Sequence, residues 1–398
     1  MAVSKSPDDS FAELAARLNP LPSETVALTD ALGRVLAESV VADRDSPAAD
    51  VSAMDGYAVR LEDLHRTAPI LVSGESIPGH EPPTPVPGKV MRVFTGGIVP
   101  AAFDLVVKRE DTEESPESVK LSSIDDGYEN GTNIRRQGEN TTRGDKVLTD
   151  GGFISAAAIA AAANFGATKV PVRRELRVSI LVTGDELQPI DAAVQPWQLR
   201  DSNGPTVGSI LAGQPWCEVV STRRVVDSMS SLKTELKSAL DDSDAVILTG
   251  GVSMGDYDHV PDAVQHVGAE IAFHRLPIRP GKPIMGAATS DGRPIIGLPG
   301  NPVSAAVGCQ RFVVPLLLAQ AGASSTGNCK PAVILDDAGD RTLPLYWYRL
   351  VRISERGTAE PVPSKGSGDL VSLSHSDGFI EQPPGQSGPG PWKFWSWS

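Results

Sequence analysis

A glycine-rich turn is the segment with the clearest capacity for chemistry. The residues Thr249–Gly255 (TGGVSMG) follow the apolar run DAVIL and precede a predicted helix. Glycines at such a position let main-chain N–H groups approach an anion, and the following helix adds the positive end of its dipole. The segment is therefore predicted to bind phosphate, with a plain turn between a strand and a helix as the alternative. It matches neither GxGxxG nor GxxxxGK[ST], so neither a dinucleotide site nor a Walker ATPase is supported.

Acidic side chains follow this turn and also another predicted strand end. Asp256 and Asp258 come directly after the glycines, and Asp185 and Glu186 belong to the sequence TGDEL. Carboxylates gathered at strand ends repel one another unless a cation is present, and Mg²⁺ prefers oxygen ligands together with substrate phosphates. These acids are predicted to hold Mg²⁺. Solvated loop acids are the alternative.

Cationic side chains are concentrated in a loop further along the chain. Arg275 and Arg279 lie four residues apart, Lys282 is three further on, and Leu298–Pro302 (LPGNP) then ends a strand and opens a helix. Together these segments are suited to phosphate or another oxyanion, with a basic surface loop as the alternative. The triplet Asp201–Asn203 (DSN) begins a different predicted helix and is expected to cap it.

Histidines and cysteines do not have the spacing of metal or disulfide sites. None of the six histidines shows HxxxH or HExxH spacing, which argues against a zinc enzyme. Cys217, Cys309 and Cys329 are scattered without CxxC spacing. They are predicted to be structural thiols rather than parts of a disulfide framework or zinc site.

The elements that must position these residues fall into three regions. Residues 69–150 are short apolar stretches separated by Gly and Pro, which indicates β-structure. Between about 173 and 320, strands alternate with helices, which implies parallel strands, right-handed crossovers and a site at the carboxyl ends of the strands. Short strands return after about 328, and the ending WKFWSWS is a final strand or a loose apolar tail.

Helices are predicted near the N-terminus and between the regions. Residues 10–18 have helical apolar spacing, with Ser10 or Asp9 as the N-cap, and a short helix opened by Thr29-Asp30 is predicted to follow. The Ala-rich run from Ser155 to Asn164 predicts a helix with a serine cap.

Length and charge limit the classes of protein. A chain of 398 residues requires several domains, and it contains no run approaching about 18 apolar residues that would span a membrane. The N-terminus does not have the pattern of a signal peptide, so a cytoplasmic protein is expected. Lys plus Arg number 36 against 50 Asp plus Glu, a net charge of −14, which disfavours nucleic acid and anionic lipid as partners.

The motifs, taken together and in order, resemble those of one enzyme family. SAMDGYAVR, FTGGIVP, NIRRQGEN, TGDEL, DSN, TGGVSMGDYDHV, RPGKP, LPGNPVS and GSGDLVSL resemble the MoeA family of molybdopterin molybdenumtransferases, which includes the E domain of gephyrin. The resemblance implies an α/β multidomain protein with a MogA-like doubly wound α/β domain, a β-rich domain, an elongated linker domain and a C-terminal β-barrel-like domain. The expected bounds are an N-terminal helix at 1–19, the linker domain at 20–47 and 145–172, the β-rich domain at 48–144, the MogA-like domain at 173–322 and the C-terminal domain at 326–398.

The resemblance also implies a reaction. Adenylylated molybdopterin and molybdate would give molybdenum cofactor and AMP, with Mg²⁺ as the cofactor. A homodimer is implied, with a molybdopterin adenylyltransferase and molybdoenzyme-loading proteins as partners. The family's site lies between subunits, so Asp55 and Thr95 would act at the partner protomer's α/β domain.

Site residues follow from matching the family's motifs onto this chain. The implied catalytic residues are Asp55, Thr95, Glu186, Asp227 and Asp258. The residues expected to bind substrate are Asp201, Ser202, Asn203, Thr249, Gly250, Gly251, Ser253, Gly255, Arg275, Arg279, Lys282, Pro299, Pro302, Arg349 and Ser367. The expected metal ligands are Glu186, Asp256 and Asp258.

Two departures and two alternatives accompany this hypothesis. Asn140 stands where many family members have Asp, and an amide binds a cation less strongly than a carboxylate does. The aromatic tail is unlike the usual aliphatic ending, and no site residues are expected in it. A molybdopterin adenylyltransferase is the alternative enzyme, although such proteins are single domains of roughly 150–200 residues. A non-catalytic molybdopterin-binding scaffold is the other alternative.

Overall fold

A computed structural model describes residues 5–122, 124, 127–253, 255, 258–325 and 329–397. The predicted metal ligand Asp256 lies outside these residues, as does Met254 of the glycine-rich turn. The chain divides into two compact units. The larger comprises Met1–Glu38, Thr149–Ala160 and Thr168–Ser398, and the smaller comprises Ser39–Leu148 and Ala161–Ala167.

A six-stranded sheet forms the centre of the larger unit. The four strands predicted from the alternating pattern are parallel neighbours, in the order Cys217–Val225, Leu176–Thr183, Ala245–Thr249 and Pro294–Leu298. Two further strands, Met285–Ala288 and Glu270–His274, continue the sheet in antiparallel fashion and were not predicted. The ten residues that join these two strands contain no helix, and antiparallel strands need no crossover.

Apolar side chains from the central strands enter a core on each face of the sheet. In Ala245–Thr249, Ala245 and Ile247 belong to one core, whereas Val246 and Leu248 belong to another. All four side chains are completely buried. Because both faces are covered, the strand is a continuous apolar run rather than an alternating one. Polar side chains are costly within a strand that is buried on both faces, so they are concentrated after its carboxyl end.

Helices cover the two faces of the sheet. The helices of this region are Asn203–Ala212, Met229–Asp242, Val260–His266, Pro302–Gly308 and Val314–Gln320, the last two joined by the π-helical turn Cys309–Val313. Among the described residues, Pro302–Gln320 is the one helical run with the length and apolarity of a membrane span, and 89% of its apolar window is buried inside the protein. Its apolarity is accounted for by the core that it fills.

One charged side chain is buried within that apolar helix. Arg311 is 3% exposed, its Nε donates to Glu381 Oε2 at 2.7 Å, and its Nη2 donates to Asp8. The guanidinium carbon lies 4.9 Å from the centroid of the Trp395 ring. This ion-pair network links the N-terminal helix, the apolar helix and the C-terminal sheet.

The C-terminal segment forms a ring of strands. Neighbours pair in the order Cys329–Val333, Trp392–Ser396, Gly378–Gln382, Tyr346–Ile353 and Ala359–Pro361. Ala359 then pairs back with residues 334–336, which closes the ring. The short helix Leu370–Ser374 precedes the strand Gly378–Gln382. Of the two alternatives for the aromatic ending, the final strand is correct.

The smaller unit contains its own six-stranded sheet. The strand order is Leu105–Lys108, Gly56–Val59, Val90–Val93, Ile70–Ser76, Ser118–Leu121 and Thr112–Glu114. Two short pairs lie outside this sheet, Val51–Ser52 with Ile134–Arg135 and Val40–Val41 with Lys146–Leu148. The β-structure expected for this region is thus present.

The first helix begins earlier than predicted. It spans Pro7–Ala15, and its N-cap is Ser6 rather than Ser10 or Asp9. The Ser6 Oγ accepts the Asp9 backbone N–H at 3.1 Å, and the Asp9 carboxylate accepts the Ser6 backbone N–H in return. This capping box, with proline in the first turn, starts the helix at Pro7.

The helix predicted after Thr29 is wrong. Only a 3₁₀ turn, Leu28–Asp30, is present there. Gly33 follows with φ of +74°, which is outside the helical region, and Val35 then pairs with Phe153. Strands Ser23–Ala27 and Lys169–Arg173 pair beside this segment. The Ala-rich helix is present as predicted, at Ala156–Asn164, and its first turn is capped by Ser155.

Candidate functional site

A cavity of about 1180 Å³ opens at the carboxyl ends of the parallel strands, where the sequence predicts a site. We call it the acid-lined cavity. The predicted site residues that line it are Glu186, Asp201, Ser202, Asn203, Asp227, Gly250, Gly251, Ser253, Asp258, Pro299 and Pro302. Residues from five separate segments of the α/β region therefore meet at one edge of the sheet.

The glycine-rich turn leaves its strand in a conformation that glycine favours. Gly250 and Gly251 have φ of +89° and +64°. The Gly250 backbone N–H donates to Leu298 O at 3.0 Å, which ties the turn to the neighbouring strand. A Cβ atom on Gly250 would come within 2.6 Å of the Thr183 carbonyl oxygen. Only glycine fits at this position, so the turn presents its backbone closely to the cavity.

Gly250→Ala is expected to be much more costly than an alanine at a glycine with similar backbone geometry. Gly268 has φ of +79° and open space around an added Cβ. Gly268→Ala therefore has only the free-energy cost of placing alanine in the left-handed backbone region. Gly250→Ala adds a clash with backbone, for which about 1–3 kcal/mol is typical. We expect that difference between the two variants in denaturant unfolding. Equal losses of stability would contradict the tight packing of the turn.

Two aspartates face each other beside this turn. The Asp185 backbone N–H donates to Asp227 Oδ2 at 3.2 Å, and the Asp227 backbone N–H donates to Asp185 Oδ1 at 3.1 Å. The pKa of Asp227 is raised because partial burial disfavours its charged form and because Asp185 and Glu186 add negative charge nearby. The acids thus create a site of negative potential that favours a cation.

The raised pKa of Asp227 predicts how stability should depend on pH. Ionising this carboxyl costs more in the folded than in the unfolded protein, so its stabilising contribution is lost as pH rises through the raised pKa. Asp227→Asn removes this cost. We expect the stability of Asp227→Asn relative to the wild type to improve as pH rises above the ordinary aspartate pKa of about 4 in metal-free buffer. Thermal unfolding at each pH would measure this difference. A pH-independent difference would contradict the assignment.

Asp258 shapes the far end of the glycine-rich segment. Its Oδ2 accepts the Gly255 backbone N–H at 2.6 Å. Among the residues that the structure describes, no three His, Cys, Asp or Glu side chains are grouped closely enough to hold a metal ion. A cation beside Glu186 and Asp258 would therefore complete its coordination with substrate oxygens or water, as Mg²⁺ commonly does.

The DSN triplet both caps a helix and offers an acceptor. Asp201 Oδ1 accepts the Gly204 backbone N–H at 2.9 Å, which is the expected capping role. Asn203 is 7% exposed, and its Nδ2 donates to Gly300 O at 2.8 Å. The buried Asn203 Oδ1 has no hydrogen-bond partner within the described part of the chain. An unsatisfied buried acceptor is costly, so a donor from a bound ligand fits there.

A second cavity, of about 1140 Å³, holds the predicted cations and the C-terminal site residues. We call it the cation-lined cavity. Its lining includes the predicted residues Arg279, Lys282, Pro299, Arg349 and Ser367. Pro283, Pro299 and Asn301 line both cavities, so the two spaces are neighbours. The Val303 backbone N–H donates to Ser367 O at 3.0 Å, which holds the Ser367 loop at the N-terminus of the apolar helix.

Arg349 is fixed in the wall of this second cavity. Its Nη1 donates to Ala338 O at 2.9 Å, and its guanidinium carbon lies 4.7 Å from the Trp347 ring centroid. The pKa of Arg349 is lowered because burial disfavours its charge and because Arg341 places another positive charge nearby, against which Asp337 acts. Arg341 and Trp347 also line the cavity, and the sequence motifs did not point to either.

Other predicted residues lie away from the two linings. Arg275 lines neither cavity and has φ of +65°. Thr249 is buried, with 1% of its surface exposed, and lines neither cavity.

Asp55 and Thr95 belong to the smaller unit and contact each other. The Thr95 backbone N–H and Oγ1 each donate to Asp55 Oδ1 at 2.8 Å. These two hydrogen bonds lower the pKa of Asp55, so the carboxylate is readily ionised. Asn140, the departure from the family pattern, accepts from Arg135 Nη2 at 2.9 Å through its Oδ1. The amide thus keeps an arginine contact that a carboxylate would make.

The chain matches three family descriptions in order. Residues 5–166 match the MoeA N-terminal region (domain I and II), and residues 179–319 match a probable molybdopterin binding domain. Residues 341–390 match the MoeA C-terminal region (domain IV). The second match begins within the parallel strand Leu176–Thr183 and contains the other three parallel strands completely. It also includes the glycine-rich turn of the acid-lined cavity.

Whole-length relatives and a solved structure agree with these matches. The molybdopterin molybdenumtransferase of Staphylococcus aureus strain MRSA252 is 31% identical over 385 residues, covering 92% of this chain and 89% of that protein. That of Staphylococcus epidermidis strain RP62A is 32% identical, covering 91% and 88%. The crystal structure of the molybdopterin biosynthesis MoeA protein from Pyrococcus horikoshii OT3 is similar with a TM-score of 0.80 at 26% identity, covering 99% of this chain and 100% of that one.

Proposed function

We propose, from the premise that this chain belongs to the molybdopterin molybdenumtransferase family, that it inserts molybdenum from molybdate into adenylylated molybdopterin and releases AMP. The family resemblance and the multidomain α/β fold class predicted from the sequence are confirmed by the matches. Family members are transferases of molybdenum cofactor biosynthesis. The adenylylated form of the substrate, the magnesium ion and the assignment of site residues belong to the proposal.

The observation that carries this proposal is the adjacency of two differently charged cavities. One is lined by Glu186, Asp227 and Asp258, and the other by Arg279, Lys282 and Arg349, with Pro299 in the wall of both. Two anionic substrates repel each other, so the enzyme must hold both of them in place for the reaction to occur. Neighbouring sites, one suited to a cation with phosphates and one suited to an oxyanion, meet that need.

The acid-lined cavity has an end suited to a pterin. Ile190, Val194, Leu199 and Leu370 line it alongside the polar groups. Ligand pockets commonly combine such apolar walls with a few polar groups that fix orientation. The Asn203 Oδ1, which has no described partner, would accept from a ring N–H or amino group. The backbone of the glycine-rich turn would seat the phosphate.

The cation-lined cavity is suited to molybdate. Arg279, Lys282 and Arg349 line it, and the Ser367 loop closes one side. Arginine donates in a fixed planar fork that matches oxyanions well. In this arrangement the cations screen the charge of molybdate while it lies beside the phosphoanhydride. Arg275 lines neither cavity, and its contact with substrate stays a prediction from the family resemblance.

Magnesium fits the acid-lined cavity as a shared ligand of protein and substrate. Glu186 and Asp258 would hold it, and substrate oxygens would complete the shell. The third predicted ligand, Asp256, lies outside the described residues. When bound, the ion would neutralise charge on the phosphate oxygens. The protein groups position the two substrates, and no nucleophile of the chain is required.

The proposed chemistry conserves all groups. A molybdate oxygen attacks the adenylyl phosphorus, the phosphoanhydride P–O bond breaks, and molybdopterin phosphate leaves. The two dithiolene thiols then bond to molybdenum through sulfur. AMP leaves with the bridging oxygen, and a second molybdate oxygen takes up the two thiol protons and leaves as water. Holding the reacting groups close supplies much of the rate enhancement in reactions of this kind.

The experiment is incubation of the purified chain with adenylylated molybdopterin, molybdate and Mg²⁺. AMP release that depends on molybdate is the expected result. Pyrophosphate release from ATP and molybdopterin would instead identify an adenylyltransferase. Binding of molybdopterin with neither product would leave the scaffold hypothesis.

We also propose that a homodimer supplies Asp55 and Thr95 to the partner protomer's acid-lined cavity, as the family resemblance implies. The two residues carry an ionised carboxylate outside the α/β region. Asp55→Asn and Asp258→Asn should each be strongly impaired alone. Their mixture, after subunit exchange, should regain activity, because one of the two sites is then intact. No recovery in a verified mixed dimer would contradict the shared site.

A further inference from the structure

Two arginines contact one tryptophan in the cation-lined cavity. The guanidinium carbons of Arg341 and Arg349 lie 5.3 Å and 4.7 Å from the Trp347 ring centroid. Because both distances are measured to the same ring centroid, the two guanidinium carbons are no more than about 10 Å apart. This separation is close to one Debye length at physiological salt. Each therefore acts on an anion that binds near the other.

The charges around this pair leave a positive excess. Of the carboxylates that line the cavity, Glu360 is paired with Arg352 at 3.0 Å. Asp336 and Asp337 are the remaining carboxylates in the lining. The four cations Arg279, Lys282, Arg341 and Arg349 outnumber these two. Such an excess in a concave wall attracts an anion.

We propose that Arg341 is a further oxyanion-binding residue, which Trp347 holds beside Arg349 so that both guanidinium groups act on one tetrahedral anion. This inference rests on the proposed function, in which that anion is molybdate. Neither the family motifs nor the glycine-rich turn includes Arg341 or Trp347.

Trp347 has a positioning role in this arrangement. Arg341 is exposed, and an exposed arginine loses side-chain entropy when it is fixed for binding. Contact with an indole face offsets part of that loss before the anion arrives. Trp347 and Arg349 point to the same side of the strand Tyr346–Ile353, because they are two residues apart. One ring therefore orders both cations.

The test is the affinity of the full-length protein for molybdate, measured by calorimetry without pterin. Arg341→Gln should weaken binding about 5- to 10-fold, as expected for loss of one charge-assisted contact. Arg356→Gln is the matched control, since this arginine lies in an exposed turn and lines neither cavity. Arg341→Lys should recover part of the affinity. Trp347→Leu should weaken binding, and Trp347→Phe should retain more of it.

Kinetics separate this role from a structural one. In the AMP-release reaction, Arg341→Gln should raise the KM for molybdate with kcat and the KM for adenylylated molybdopterin unchanged. Wild-type affinity for molybdate in Arg341→Gln, or an equal loss in Arg356→Gln, would overturn the proposal. If the wild type binds molybdate in an Arg341-dependent way but releases no AMP, the proposed function fails and the subsite stands.

Discussion

Replacing Asp258 with asparagine should slow molybdate-dependent AMP release by about 100- to 1,000-fold, the range found for loss of one preorganised electrostatic group. The amide retains an oxygen that can accept the Gly255 backbone N–H, the bond that Asp258 Oδ2 accepts at 2.6 Å. The segment should therefore keep its conformation while the cavity loses a negative charge. Asp258→Ala removes the acceptor as well and should also loosen the segment.

Asp262→Asn provides the control for Asp258→Asn. Asp262 is exposed in the helix Val260–His266 and does not line the acid-lined cavity. The same change of charge and volume there should leave the rate within about twofold. Raising Mg²⁺ should partly restore Asp258→Asn, because weaker cation binding is its defect. Full activity of Asp258→Asn at low Mg²⁺ would remove this residue from the proposed metal site.

Replacing Glu381 with alanine should lower the free energy of unfolding by about 3–5 kcal/mol, the usual cost of breaking a buried ion pair from one side. Glu381 and Arg311 are 4% and 3% exposed, and the substitution leaves the guanidinium buried without its main partner. Asp8 remains, but its side chain is 64% exposed and gives weaker compensation. Denaturant unfolding followed by circular dichroism would measure the loss.

Two comparisons test the cause of that loss. Glu360→Ala breaks the exposed pair with Arg352 and should cost under about 1 kcal/mol. The double variant with Arg311→Met and Glu381→Met removes both charges and should recover most of the stability, because no buried charge is left unpaired. A Glu381→Ala loss no larger than that of Glu360→Ala would show that the buried pair is not the source.

The fold of the α/β region followed from the sequence because its physical signals are local. The run DAVIL is apolar on both faces, and the polar residues that follow it must leave the sheet at its carboxyl end. That reasoning brought Glu186 and the Gly250 turn to one cavity. By contrast, the helix expected after Thr29 was predicted from Thr29-Asp30 as its opening residues. The chain instead turns at Gly33, and Val35 pairs with Phe153 in extended structure.

The residues that sequence reasoning missed depend on contacts between distant segments. Arg341 and Trp347 belong to a loop and a strand whose neighbours are set by closure of the C-terminal ring, and no local spacing indicates their contact. Arg275, which the basic loop suggested as a ligand, lines neither cavity, and its role stays a prediction. Arg311 did carry a signal, as a single cation in a long apolar helix, which usually requires a buried partner.

The pairing of Val40–Val41 with Lys146–Leu148 gives residues 42–145 of the smaller unit a common point of entry and exit. Adjacent strands lie about 4.8 Å apart, so the segment between them begins and ends almost at the same place. A stretch of about a hundred residues could therefore be gained or lost in evolution by exchanging it for a tight hairpin, without moving the strands that flank it. Insertion at one hairpin therefore accounts for how the chain could acquire a β-rich segment that evolves separately from the strands on either side of it.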